Sequence, residues 1–304
     1  MITRETEAAA LLALLQSPLN KLGWGATAAR VSADDTARDL LHELYEQDGT
    51  LFRSPDMEEL LETATRQLRL WLDDGYQLTT VLESDYPRRL RDIREMPPFL
   101  FYSGDLLADD DGMSIVGSRR ASSQGRTLAR DIAELLVDES LTVISGLAEG
   151  IDTAAHRAAL DTGGRTVAFI GTGITRHYPA SSAALQDEIA QSGLILSQFY
   201  PDAPPTKSTF PMRNVSMSGY GLATIIVEAS EHSGSRIQAR VAGKHGRPVI
   251  LTTRVVNSTS WGSALVEKPN VYVVGSTDEL RWAIREVRKS PAQLDGAIEA
   301  LVTS

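Results

Sequence analysis

The chain has 304 residues, 42% of them apolar, and no cysteine. That length supports one large or two unequal units with a real core, and the lack of thiols excludes disulfides, thiolate metal sites and a cysteine nucleophile. The net charge is −10, but residues 1–110 hold 11 basic and 21 acidic side chains while residues 111–304 hold 19 of each, so the acidity that argues against a polyanionic partner is confined to the first third.

The opening MITRETEAAALLALLQ joins an acidic flank to a short apolar run. A helix over 8–15 is expected there rather than a signal peptide. No stretch reaches the roughly 20 apolar residues of a membrane span, so a cytoplasmic protein with no membrane contact is expected. Ser32-Ala-Asp-Asp reads as a helix start. So does Ser54-Pro-Asp-Met-Glu-Glu, with serine as cap and proline in the first turn of a helix running to about Asp73. Residues 1–78 therefore read as an acidic helical domain whose charged face is solvated. Residues 84–105 form a proline-punctuated connection, with a short strand from Phe99 to Tyr102 at a sheet edge.

From Met113 the rhythm changes. Apolar runs at 113–116, 141–145, 165–170, 194–197, 223–228, 248–251 and 271–274 alternate with helical stretches at 125–138, 150–162, 182–191 and 235–244. Continuous apolar strands separated by helices make a parallel sheet covered on both faces. The fold class is α/β: a doubly wound, mostly parallel Rossmann-like sheet over 79–290, with the small helical domain before it and a short tail at 291–304.

Such sheets bind ligands beyond the carboxyl ends of their strands. Four strand ends carry glycine with serine, threonine or arginine: Gly117-Ser118-Arg119-Arg120, Ser145-Gly146, Gly171-Thr172-Gly173, and Ser233-Gly234-Ser235-Arg236. Small residues let backbone N–H groups approach an anion, and hydroxyls and guanidinium groups add donors. The pattern is neither a dinucleotide fingerprint nor a Walker loop, so no cofactor is expected. Arginines spread around one crevice (Arg119, Arg120, Arg213, Arg236) suit a run of phosphates along a strand better than one compact pyrophosphate.

Several of these pieces together resemble the DNA-processing protein A family, also called DprA or Smf. They are Tyr86-Pro-Arg-Arg-Leu, Pro97-Pro-Phe-Leu-Phe-Tyr-Ser-Gly-Asp105, Ile115-Val-Gly-Ser-Arg119, the run from Ser145 through Gly150-Ile-Asp-Thr-Ala-Ala-His156, Gly171-Thr-Gly173 with Tyr178-Pro179, Phe210-Pro-Met-Arg-Asn214, and Glu228-Ala with Ser233-Gly-Ser235. The resemblance covers about residues 80–252. It implies a single-stranded DNA-binding protein that forms a homodimer and loads a RecA-type recombinase during natural transformation. It also implies that Gly117, Ser118 and Arg119 contact phosphate, that Arg213 and Asn214 line the DNA groove, and that Ser233 to Ser235 complete the rim. The chain resembles a diverged member: Glu149 and Val215 stand where the family usually carries basic residues, 252–258 lacks a Pro-Gly turn, and the tail from Pro291 is too short for a winged helix.

No residue is expected to be catalytic and no metal cluster is expected. Asp152 and His156 share a helix face, where a packing contact is preferred to an acid–base pair. Glu228 ends a strand near the crevice and is a candidate general acid or base, but the Pro-Gly-Gly-x-Gly-Thr loop of the related phosphoribohydrolases is absent; the alternative is a protein that binds or hydrolyses a nucleotide, with a pure interaction scaffold as the third reading. His177 and His232 read as solvated loop residues. Trp71 and Trp282 read as core. Trp261 reads as a loop aromatic able to stack on a base, and Tyr200 and Phe210 as loop aromatics that either pack the loop or stack on a base.

Overall fold

In the computed structural model, residues 4–33, 36–46 and 56–302 are described, with side chains as far as 289. The expected start signals at Asp34-Asp35 and at Ser54-Pro55 lie outside them. The first four helices are α1 (Arg4–Gln16), α2 (Trp24–Ala33), α3 (Ala37–Glu46) and α4 (Met57–Asp73). Ala8 to Leu14 are all buried, because α1 is apolar on every side and α3 and α4 pack around it. The start of α4 is capped by Asp56, whose carboxylate accepts from the Glu58 N–H at 3.0 Å.

Nine strands follow: β1 (Gln77–Thr80), β2 (Phe99–Gly104), β3 (Gly112–Val116), β4 (Thr142–Ser145), β5 (Thr166–Phe169), β6 (Leu194–Ser197), β7 (Ala223–Ile226), β8 (Val249–Thr252) and β9 (Val271–Val274). They form one sheet in the order β1-β2-β6-β5-β4-β3-β7-β8-β9. From β6 to β9 every pairing is parallel, whereas β2 runs antiparallel to both β1 and β6. The Phe99–Tyr102 strand is therefore not at the edge. The edge is Gln77–Thr80, whose single apolar residue gives little pattern to read.

The remaining helices are α5 (Ser123–Asp138), α6 (Ile151–Asp161), α7 (Ala183–Ser192), α8 (Thr209–Tyr220), α9 (Gly234–Lys244), α10 (Thr253–Ser258), α11 (Ser260–Leu265) and α12 (Thr277–Val302). The last runs through position 290 without a break. One sheet face is covered by α5, α6 and α12, with Ala129, Ile132, Leu136, Ala155 and Ile284 buried against Met113, Ile115 and Ile225. The other face packs on α8, α9 and α10 through Met217, Tyr220, Ala239 and Val255, and that cluster continues without interruption into α1, α3 and α4. The helical segment thus shares a core with the sheet.

Tyr200 is the pivot of that junction. Its ring stacks on Phe99 at 5.5 Å and on Trp71 at 5.5 Å, and Trp24 lies 6.1 Å away. It packs between the helical segment and the sheet rather than offering a free face to a base. Trp261 is also no loop aromatic: it lies in α11, is buried, and its indole N–H donates to the Ser230 carbonyl at 3.3 Å. Trp282 departs the other way. It is 53% exposed, against the expectation of a core residue, with an edge contact to Tyr272.

Because Tyr200 is only half-buried, its removal costs less than a full aromatic deletion. Tyr200→Ala is expected to destabilise the protein by about 2–3 kcal/mol. Urea titrations followed by tryptophan fluorescence check this, and a loss under 0.5 kcal/mol contradicts the junction.

Candidate functional site

The sheet order places β3 between β4 and β7, both parallel to it. Chain connections leave in opposite directions there, so the loops after β3 and β7 diverge and open a crevice. The loop after β3 lies unusually deep. A Cβ at Gly117 would sit 2.5 Å from Ile151 Cγ1 and 2.8 Å from the Glu228 carbonyl oxygen, and Gly150 at φ +84° passes directly beneath the Ser118 and Arg119 carbonyls. Only glycine fits both positions.

Glu228 ties the two loops together. Its carbonyl accepts the Ser118 N–H at 2.8 Å, and its carboxylate accepts the Ser122 N–H at 2.8 Å, the Ser122 hydroxyl at 2.5 Å and Arg254 Nη2 at 3.1 Å. Burial alone would raise its pKa, but Ser122 and Arg254 outweigh burial and hold it below the usual carboxylate range. This geometry makes Glu228 a structural tie between the loops after β3 and β7.

Between the loops is a cleft of about 680 Å³. Gly117, Ser118, Arg119 and Arg120 form one wall, Ser233, Gly234 and Ser235 at the start of α9 form the other, and Arg213 and Asn214 of α8 line it between them. Arg119 and Arg120 are exposed, and among the described residues neither pairs with a carboxylate. Ser233 caps α9, its hydroxyl accepting the Ser235 N–H at 3.2 Å, so the positive end of an eleven-residue helix faces the cleft. A smaller slot of about 160 Å³ adjoins it, lined by Gly146, Gly171, Glu149, Tyr178, Phe210 and the two arginines Arg119 and Arg213. The Arg119 guanidinium lies 5.4 Å from the centre of the Phe210 ring, and Tyr178 packs on that ring at 5.4 Å. Phe210 belongs to the first turn of α8, not to a loop.

Arg213 is the unusual residue. Pro211 is tolerated in the first turn of α8, and the helix carries Arg213 inward until it is 5% exposed. Its Nη1 donates to the Gly146 carbonyl and, at 2.9 Å, to the Phe169 carbonyl. Its Nε has no partner. Burial pushes its pKa down to about 10, with Asp152 opposing and Arg119 adding to the shift, so it stays charged at neutral pH. Asp152 is the nearby counter-charge, and burial raises its pKa despite Arg213 beside it. Its carboxylate accepts the Gly146 and Ala148 N–H groups at 3.2 and 3.3 Å. Gly146 therefore has no N–H left for a ligand. What its lack of side chain provides is room: a Cβ there would collide with the Arg213 guanidinium.

Four expected contacts are not on the cleft or slot walls. The Ser145 hydroxyl donates to the Ile115 carbonyl at 2.6 Å inside the sheet. Thr172 is buried in the loop three residues beyond β5, with its carbonyl accepting from the Ser197 hydroxyl. Gly173 packs beneath the Tyr200 and Pro201 carbonyls, and its N–H goes to Ala203. Arg236 points outward from α9 and is exposed. Conversely, Gln238 lines the cleft and is 1% exposed, and the sequence reading missed it. The visible signal is a polar residue in the otherwise small, buried stripe Ser235, Gln238, Ala239, Ala242.

His156 does not meet Asp152. The Thr166 hydroxyl donates to the Val143 carbonyl at 2.8 Å, so it accepts His156 Nδ1–H at 2.7 Å. Burial, with Arg213 adding to it, lowers the His156 pKa to about 3. His177 pairs with Asp187 at 2.8 Å on the surface. Among the described residues no group of acidic and histidine side chains could hold a metal ion, and no helix is long and apolar enough to cross a membrane.

Because folding keeps His156 neutral, the unfolded chain binds one more proton between its ordinary pKa of about 6.5 and about 3. Stability is therefore expected to fall with acidification by about 1.4 kcal/mol per pH unit below pH 6.5 from this residue. His245, lowered mainly by burial with Glu95 opposing, adds to it. Denaturation at pH 7, 6 and 5 checks this, with a shallower slope expected for His156→Asn. Gly146→Ala is expected to displace Arg213 and reduce anion binding at the cleft by about tenfold while leaving Arg119 in place; unchanged binding contradicts the role assigned to the buried guanidinium.

Comparison with known proteins places these features in context. A family model described as DNA recombination-mediator protein A matches residues 77–282. The DNA processing protein DprA of Streptococcus pneumoniae is 42% identical over 171 residues, which are 56% of this chain and 60% of that protein, so the chain aligns with less than two thirds of that relative's length. The X-ray structure of the Streptococcus pneumoniae DprA superposes with a TM-score of 0.72 at 28% identity, covering 92% of this chain and 98% of that one. DprA of Helicobacter pylori, described for its unique single-stranded DNA binding mode, superposes with a TM-score of 0.61 at 26% identity, covering 70% and 97%.

Proposed function

The chain belongs to the DNA recombination-mediator protein A family, and from that premise we propose that it binds single-stranded DNA in the cleft at the sheet's switch point. The observation that carries the reading is the set of cations there: Arg119 and Arg120 exposed at the rim without carboxylate partners among the described residues, and Arg213 buried behind them with Nε unpaired. Three guanidinium groups along an open cleft match successive phosphates of a strand. Phe210, with Arg119 over its ring, offers a stacking face at the entrance of the smaller slot.

The proposal is of binding rather than chemistry. Asp152 and Glu228 serve as structural acceptors, and His156 is held neutral in a packed contact. In keeping with the family, the reading extends to a RecA-type recombinase as the protein partner, loaded onto strands that this protein covers, and to a homodimer as the working unit.

Oligothymidylate binding is expected to weaken with salt, with a slope of log K against log salt of about −2 for three phosphate contacts on a single strand. Arg119→Ala is expected to bind more weakly and to flatten that slope by about 0.7, with unchanged thermal unfolding. Equal affinity and slope for variant and wild type across several salt concentrations would overturn the assignment. Sedimentation with and without a RecA-type recombinase checks the partners.

A further inference from the structure

Resting on the reading of the cleft as a single-strand site, we propose that its floor receives one nucleobase edge-on, read by the side-chain amide of Gln238. Gln238 is 1% exposed, and neither Nε2 nor Oε1 has a hydrogen-bond partner. It lines the cleft one helical turn below the α9 start. On the facing helix α8, the buried Arg213 Nε is also unpaired, and the Asn214 side chain makes no protein hydrogen bond. Two helices thus bring three polar groups with spare hydrogen-bonding capacity to one floor.

Buried amides are normally satisfied, and leaving one unpaired destabilises a fold. A residue kept in that state at the bottom of an open cleft has a partner that arrives from outside. The chemistry of the amide selects that partner. A phosphate presents only acceptors, so it would satisfy Gln238 Nε2 and leave Oε1 unpaired. A base edge presents a donor beside an acceptor, which a carboxamide matches with two parallel hydrogen bonds. The cleft is therefore sorted by depth. Charge holds the backbone, from Arg119, Arg120 and the α9 N-terminus at the rim and from Arg213 of α8 behind them. The neutral donor–acceptor pair lies just beneath the floor and takes a base turned inward from the strand when the Gln238 side chain swings toward the cleft.

The test is fluorescence anisotropy at fixed salt on two labelled oligonucleotides of equal length, one oligothymidylate and one carrying abasic tetrahydrofuran residues throughout. Wild type, Gln238→Met and Gln238→Ala are compared. Gln238→Met keeps the side-chain volume, and its thermal midpoint is expected to rise because an unpaired buried amide is removed. Both variants are expected to lose about tenfold in affinity for oligothymidylate while binding the abasic strand as wild type does. A ratio between the two strands that stays at its wild-type value in the variants overturns the base-reading role alone. Wild type that binds neither strand overturns the reading of the cleft as a DNA site, and this proposal with it. Stacking on Phe210 contributes equally to wild type and variants, so the change in ratio isolates Gln238.

Discussion

The site depends on one buried charge. Arg213 lies inside the protein, held by the carbonyl oxygens of Gly146 and Phe169 at the ends of two adjacent parallel strands. Carbonyls stabilise a guanidinium without neutralising it, so its positive field persists into the cleft. Its surroundings follow from that constraint. Position 146 has to be glycine, because a Cβ would occupy the guanidinium's place. Asp152 has to be near enough to compensate charge, yet its carboxylate is occupied by the Gly146 and Ala148 N–H groups and does not cancel Arg213 by direct pairing. A buried cation so held is costly, and an anion in the cleft would offset that cost.

The rest of the fold presents that charge. The switch point parts the loops after β3 and β7, and the Glu228 hydrogen bonds fix the distance between them. Gly117 and Gly150 let the first loop sit low enough for Arg119 and Arg120 to border the cleft that Arg213 lines. The chain as a whole is acidic, but the excess acid lies in residues 1–110, while the cleft is lined by residues 116–238. At an ionic strength of 0.1 M, screening over about 10 Å leaves local charge in control of the potential at the cleft.

Much of this was legible in residue order, and the exceptions have physical reasons. The parallel strands are nearly continuous apolar runs, so strands such as 113–116 and 194–197 stand out. Gln77–Thr80 does not, because an antiparallel edge strand needs only one buried face; without it, Phe99–Gly104 looks like the margin of the sheet. The α2 helix WGATAARVSA has small residues in place of a periodic apolar stripe. At the site, the strand ends were readable but side-chain direction was not. Ser145 points into the sheet, and its neighbour Gly146 serves by having no side chain. The FPMRN run shows an arginine beside a proline, and nothing in it says that a helix will bury that arginine. Gln238 was hidden for a related reason: its role comes from the absence of partners, which only three-dimensional packing reveals.

The most direct test of the account is photo-cross-linking of the full chain to a single-stranded oligonucleotide containing iododeoxyuridine, followed by mass-spectrometric mapping of the attached peptides. The account predicts attachment within residues 117–120 and 210–217, on the two sides of the buried Arg213, with competition by unlabelled strand. Attachment confined to other surfaces, or specific binding that gives no adduct in either segment, would contradict it.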